Sequence, residues 1–307
     1  METLISHGTN ESFDSIMQKT ALRIKQEGDK PYISVQGELE LLEQLAEFDF
    51  GRFLLTHRGI NGYWTHYMLT HPWTGRKTGK NNQGKDFSEC ESFLLNRAPT
   101  MQATQQRFEI FLRENQKAVK ESAKLACIPS GLMGELLYLN YDNIQHIDLI
   151  GIDCDPDTLK DAADLAEQKA LSMFTQFIRA DAWHLNHKDE FDLISSNGLN
   201  IYEANDETVT ELYRSFYDAQ KPGGKLVTSF LTPPPVMTDE CEWDMSQINQ
   251  HDLLLQKIIF VDILDARWQC YRSTEQTRAQ LTSVGYTNIE FIYDKARMFP
   301  TVVAYKR

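Results

Sequence analysis

Leu125-Ala-Cys-Ile-Pro-Ser-Gly-Leu-Met-Gly-Glu-Leu-Leu137, followed by Leu149-Ile-Gly-Ile-Asp-Cys-Asp-Pro-Asp157, decides the reading of this chain. A short apolar run enters a turn that contains glycine, helix-forming residues follow, and the next apolar run ends on a carboxylate. That order spells strand, helix and parallel strand. Backbone at such a turn can approach a nucleotide-like ligand, and the carboxylate closing the second strand sits where ribose hydroxyls would meet it. Asp153 stands 22 residues after Gly131, close to the ~20 that one such βαβ crossing takes. The stretch predicts a cofactor pocket.

Downstream the same alternation continues. Strands are expected near 124–128, 147–152, 174–179, 190–195 and 224–230, and helices over 132–140, 157–170, 206–220 and 274–284. Asp155 or Asp157 is a natural N-cap for the second of these helices, with Pro156 placed to start it, and Ser273 or Thr274 for the last. Thr287–Tyr293 and Thr301–Tyr305 read as a closing pair of strands. Alternation of this kind implies a doubly wound sheet with its ligand at the carboxyl ends of the strands. Pro233-Pro-Pro235 interrupts it, and 236–270 reads as an insertion that could cover the site.

Three further stretches extend the pattern: Phe177-Ile-Arg-Ala-Asp-Ala182, Phe191-Asp-Leu-Ile-Ser-Ser-Asn-Gly198 and Lys221-Pro-Gly-Gly-Lys-Leu-Val-Thr-Ser-Phe230. With the opening two, they make five stretches in order across roughly residues 120–235 that resemble the class I S-adenosylmethionine-dependent methyltransferases. The resemblance implies an α/β, Rossmann-like doubly wound sheet and S-adenosylmethionine as cofactor. It implies that Asp153 holds the ribose, that Asp181 and Ala182 face the adenine, and that Asn197 and Gly198 lie where cofactor and substrate meet. The first motif departs from the family, which carries an acid two residues before the first glycine and three glycines in alternation. Here Pro129 occupies the acid's place, and only Gly131 and Gly134 remain. Gly131 can still supply a positive φ, and Gly134 close strand–helix packing. The amino group of the methionine moiety then falls to Glu135 or to a residue from elsewhere. The cofactor set is therefore Pro129, Gly131, Gly134, Asp153, Asp155, Asp181, Ala182 and Asn197, with Asp155 also read as the helix cap.

The first third has another character. Leu39–Phe48 and Gln105–Asn115 carry helical apolar spacing, and residues 1–118 are expected to form a mainly helical cap or lid before a methyltransferase-like domain over 119–307. Gly75–Lys85 reads as a solvated loop: its glycine spacing is too short for a phosphate loop, and Asn81 stands where Ser or Thr is needed. Phe53–Met68 concentrates His57, Arg58, Asn61, Tyr63, Trp64 and His66. Two readings of it stay open. Its aromatics could wall a pocket while His57, Tyr63 and Trp64 orient or deprotonate the acceptor, or they could simply pack on the core. His57, His66 and His71 are spaced by nine and five residues, which matches no standard metal pattern, so no metal is expected. Tyr202, Glu203, Arg267 and Arg272 are further groups that could reach an acceptor.

Composition bounds the rest. The 307 residues are 41% apolar and 24% charged, ordinary for a globular protein, and no apolar run reaches the ~18 residues of a membrane span. A net charge of −13 disfavours a nucleic-acid partner, which needs clustered Lys and Arg. Five cysteines without a Cys-x-x-Cys pair argue against a disulfide framework or zinc ribbon, and with no secretory leader in view a cytoplasmic location is expected. Cys127 falls in a predicted buried strand, where a thiol behaves as a small apolar group. The expected activity is methyl transfer to a small molecule. A protein or RNA methyltransferase and a non-catalytic cofactor-binding regulator stand as alternatives. A nicotinamide dehydrogenase is disfavoured because Gly131-Leu-Met-Gly134 lacks a glycine of Gly-x-Gly-x-x-Gly. A homodimer is left open, as is whether the first third is a lid or a dimer arm.

Overall fold

The computed structural model describes residues 11–266 and 270–307. Seven helices come first: α1 (Phe13–Glu27), α2 (Val35–Ala46), α3 (Asp49–His57), α4 (Gly62–Thr70), α5 (Gly75–Thr78), α6 (Glu89–Asn96) and α7 (Pro99–Gln116). Strands and helices then alternate through β1 (Lys124–Cys127), α8 (Gly134–Leu137), β2 (Asp148–Asp153), α9 (Pro156–Gln168), β3 (Thr175–Arg179), β4 (Phe191–Ser196), α10 (Asp206–Ala219) and β5 (Gln220–Ser229). After α11 (Gln250–Lys257) come α12 (Thr274–Val284), β6 (Thr287–Ile292) and β7 (Thr301–Tyr305).

The seven strands form one sheet in the order β3-β2-β1-β4-β5-β7-β6. β1 to β5 are parallel, while β7 runs antiparallel to both β5 and β6. The order reverses at β1, between β2 and β4, and a doubly wound sheet opens a crevice at such a switch point. Apolar side chains fill both faces. Ala126, Ile150, Ile194 and Leu226 pack with α10 and α12 on one side, and Leu125, Leu149, Leu193 and Val227 pack with α8 and α9 on the other. Near-continuous apolar strands are what a sheet covered on both faces requires.

The chain divides into two compact units, residues 1–105 with 245–268 and residues 106–244 with 269–307. The division therefore falls inside α7, not at the expected 118/119 boundary. The reason is local: Phe108 and Phe111 are fully buried, Phe111 within the sheet's core cluster, while Asn115 bonds Ser195 on β4. Part of the expected 236–270 insertion also belongs with the first helices. Arg23 on α1 donates to the carbonyls of Asp262 (2.7 Å) and Ile263 (2.6 Å), and Tyr32 donates to the Asp262 carboxylate (3.1 Å).

In the helical unit, Ser12, Ser34, Asn61 and Ser88 each cap a helix by accepting a backbone N–H. The Gly75–Lys85 segment begins with the short α5 and continues as an exposed loop closed by a bridge between Lys80 and Asp86. No helix among the described residues is long and apolar enough to cross a membrane.

Candidate functional site

The glycine turn follows β1. Ile128 donates to Ser195 O (2.9 Å) and Ser130 to Ile152 O (2.8 Å), so the outgoing chain is tied to both neighbouring strands before it turns. Pro129 follows Ile128 through a cis peptide bond. Gly131 (φ 47°) and Met133 (φ 58°) are both left-handed, a conformation that glycine adopts freely and methionine does not. Because Met133 is left-handed, the helix after the turn starts only at Gly134, and it ends at Leu137, short of the expected 132–140. Gly134 does provide close packing, though its neighbour is not the strand: a Cβ there would sit 3.3 Å from Phe108 of α7.

Asp153 closes β2 directly beside this turn. Its Oδ2 accepts from Gly131 N (3.1 Å) and its Oδ1 from Asp155 N (3.1 Å). Only 8% of the residue is exposed, and burial pushes its carboxyl above the usual range against the two amides that favour the anion. An ionised carboxylate has about four acceptor positions; Oδ1 also takes a weak thiol bond from Cys154 (3.8 Å), so the free capacity lies on Oδ2. Asp155 serves α9 instead: Oδ1 accepts from Asp157 N (3.0 Å) and Oδ2 from Thr158 Oγ1 (2.8 Å), with Pro156 as the first helical residue.

One strand further out, Asp181 heads a short turn over Ala182–His184. It accepts from Trp183 N (3.1 Å) and pairs with His184 (3.0 Å), while the Trp183 indole donates to Thr208 O on α10 (2.8 Å). Ala182 is buried in the core beneath it. Asp153 and Asp181 thus stand at the carboxyl ends of adjacent strands, as the sequence pattern requires.

Toward the other side of the turn the buried groups are polar. Glu135 Oε1 accepts from Asn197 Nδ2 (2.6 Å), and Cys127 Sγ lies 3.6 Å from Glu135 Oε2. Asn115 donates to Ser195 Oγ (2.9 Å) and to the Glu135 carbonyl (3.2 Å). Burial raises both the Glu135 carboxyl and the Cys127 thiol above their ordinary ranges. Asn197 Oδ1 and Asn115 Oδ1 are buried acceptors without a partner. Buried polar atoms are normally satisfied, so orphaned acceptors beside an acid mark a place for a donor such as an ammonium. Glu135 with Asn197 therefore fits the amino group of a methionine moiety, and Asp153 with Asp181 fits the ribose and adenine.

Arg272 departs from the sequence reading. It is 2% exposed, and its guanidinium bonds Asp206 (2.8 Å), Asn200 O (3.0 Å) and Glu203 O (2.6 Å), which fixes the loop after β4 and leaves it committed to structure. Glu203 in turn accepts from Asn205 N (2.7 Å). Arg267 lies outside the described residues. In the helical unit, His57 ends α3 and stacks on Phe53 (4.1 Å between centroids). Trp64 on α4 is buried against Phe50 (5.3 Å), Tyr67 (5.3 Å) and Tyr63 (5.0 Å), while Tyr63 is exposed.

Sequence reasoning missed Arg107. It lies on α7, donates to Ser229 Oγ at the end of β5 (3.2 Å) and stacks over Phe299 (4.4 Å). The signal was its phase: Arg107 is one helical turn from Phe111 and two from Asn115, on the face that is buried.

Residues 130–224, the turn through the start of β5, match the family described as Methyltransferase domain. That part of the chain is a methyltransferase domain, and its fold is that of the class I methyltransferases. S-adenosylmethionine is its cofactor. Among solved structures, the chain is similar to a protein of Bordetella parapertussis described as a possible exported protein. The two share 42% identity over 96% of this chain and 95% of that one, with a TM-score of 0.90. The S-adenosylmethionine-dependent methyltransferase SibL shares the fold at 12% identity, with a TM-score of 0.52 over 87% of this chain and 73% of its own. No curated protein matches the sequence.

Proposed function

We propose that this methyltransferase acts on a small-molecule acceptor and releases S-adenosylhomocysteine. The observation that carries the reading is that the polar groups past the ends of β1, β4 and β5 (Arg107, Asn115, Glu135) are all buried. A macromolecular acceptor would be met by exposed charge, and the net charge of −13 is adverse to RNA. S-adenosylmethionine supplies an electrophilic methyl group; what the chain has to supply is alignment and exclusion of water. A general base is needed only where the acceptor carries a proton at working pH. His57, Tyr63 and Trp64 enter this proposal as acceptor-side candidates. Tyr63→Phe tests them: a lower kcat/KM at unchanged S-adenosylhomocysteine affinity supports the role, and unchanged turnover assigns them to packing.

The decisive experiment incubates the protein with methyl-tritiated cofactor and, separately, small-molecule, protein and RNA fractions of a cell extract. Label in the small-molecule fraction supports the proposal. Label in protein or RNA supports the alternative acceptors, and tight cofactor binding with no label anywhere supports a regulatory binder. A cytoplasmic location and a homodimer belong to the same proposal. Five cysteines free of disulfides suit a reducing compartment, whereas the description of the Bordetella relative points outward. Cell fractionation and light scattering test these two points.

A further inference from the structure

Arg107 is 5% exposed and, among the described residues, makes a single side-chain hydrogen bond, from Nη1 to Ser229 Oγ, while its Nε is buried without a partner. The two carboxylates whose fields reach it are already engaged. Asp294 accepts from Ala296 N (3.0 Å), Met298 N (3.3 Å) and Phe299 N (2.7 Å), which shapes the loop carrying the ring under the guanidinium. Glu135 is held by Asn197. Burial lowers the Arg107 guanidinium to about 10, so it stays a cation at neutral pH. A buried cation whose neighbouring carboxylates are bonded elsewhere is a costly arrangement that a bound anion would relieve.

We infer that Arg107 receives a carboxylate of the methyl acceptor. The inference rests on the methyltransferase reading above and adds the substrate's chemical class. Three observations carry it. The first is the guanidinium's fork, which matches a carboxylate edge on and keeps its Nε–H available. The second is place. Adenine, ribose and methionine candidates occupy the ends of β3, β2 and β1, and Ser229 ends β5, two strands beyond β1 and about 10 Å further along the sheet. The third is the close fit of the loop after β4: Gly198, left-handed at φ 82°, lies so near the guanidinium that a Cβ there would sit 3.2 Å from Arg107 Nη1, so any larger residue would crowd it. A monoanion suits the site better than a phosphate dianion, which would bring a second negative charge beside Glu135 with one cation to balance it.

The test is calorimetry on the protein saturated with S-adenosylhomocysteine, using benzoate, benzamide and inorganic phosphate as probes. Benzoate should bind at least about tenfold more tightly than neutral benzamide. Arg107→Gln should abolish that preference, and Arg107→Lys, which keeps the charge without the fork, should fall between. Equal affinity for benzoate and benzamide, or a preference for phosphate, overturns the inference in the wild-type protein alone, whether or not the variants fold. A second arm compares S-adenosylhomocysteine with methylthioadenosine, which lacks the amino-acid carboxylate. If Arg107→Gln weakens the former by about tenfold or more and spares the latter, the arginine holds the cofactor and the inference falls. Failure of the wild type to bind S-adenosylhomocysteine at all would overturn the underlying reading, a distinct result.

Discussion

Asp153→Ala is the perturbation with the clearest expected size. The carboxylate is fixed by Gly131 N and Asp155 N, so it meets a ribose without reorganising. Hydrogen bonds to a charged group contribute about 1.5–3 kcal/mol each, and two of them, discounted for the water they displace, amount to about 3–4 kcal/mol. That loss weakens S-adenosylhomocysteine about 100- to 1000-fold. Removing the side chain also strips two amides of their acceptor while relieving a buried anion, effects of opposite sign, so a thermal melt must accompany the binding assay. Asp157→Ala, at an exposed position in the first turn of α9, is the control and should bind normally. Isothermal titration of both variants and wild type with S-adenosylhomocysteine and NAD reads the outcome. A folded Asp153→Ala protein binding S-adenosylhomocysteine within about threefold of wild type would refute the assignment of the ribose to this strand end. NAD binding of comparable strength would refute the cofactor.

Three other outcomes are expected. Glu135 has a folded pKa raised by burial, so its share of stability is fully present below its unfolded value near 4.5 and is lost as pH rises through the folded pKa. The melting temperature of wild type relative to Glu135→Gln should therefore fall as pH rises above about 4.5, and a difference independent of pH would contradict this. Lys225 and Glu114 form a buried ion pair at 2.9 Å, and Glu114→Gln leaves an uncompensated ammonium, so urea unfolding should show a loss of about 3 kcal/mol that replacement of both residues by Met largely restores. Gly151→Ala would place a Cβ 2.8 Å from Phe177 and 3.2 Å from Ser130, an overpacking expected to cost about 1–3 kcal/mol in the same assay.

The sheet was legible because its strands are covered on both faces and therefore read as apolar runs. β1, β2, β4 and the closing strands lie within a residue or so of where the pattern put them. β5 begins four residues early because its register shifts opposite Phe191–Leu193, and Lys221-Pro-Gly-Gly224 is accommodated within the strand. A register shift leaves no trace in periodicity. The helix after the glycine turn was overestimated because a left-handed Met133 has no sequence signature. In the site, the two strand-end acids could be read from position alone. Arg107 could not, since its value depends on a partnership with Ser229 and Phe299, distant in sequence, and on nearby carboxylates that are bonded elsewhere. Arg272 escaped the reading for the same reason: nothing in Trp268–Glu275 announces that two carbonyls from the loop after β4 and the first residue of α10 will surround it.

Cys127, at the end of the central strand, is 1% exposed, and its sulfur lies near the carbonyls of Pro129 (3.7 Å) and Ser130 (3.7 Å) as well as Glu135. Those acceptors belong to the glycine turn and its helix, and burial holds the thiol well above its ordinary pKa, so a reagent reaches the thiolate only when that segment opens. Alkylation at this one sulfur is therefore a clock for the opening of the pocket floor: its rate counts excursions of the turn, and a bound cofactor slows it in proportion to how firmly the floor is held shut.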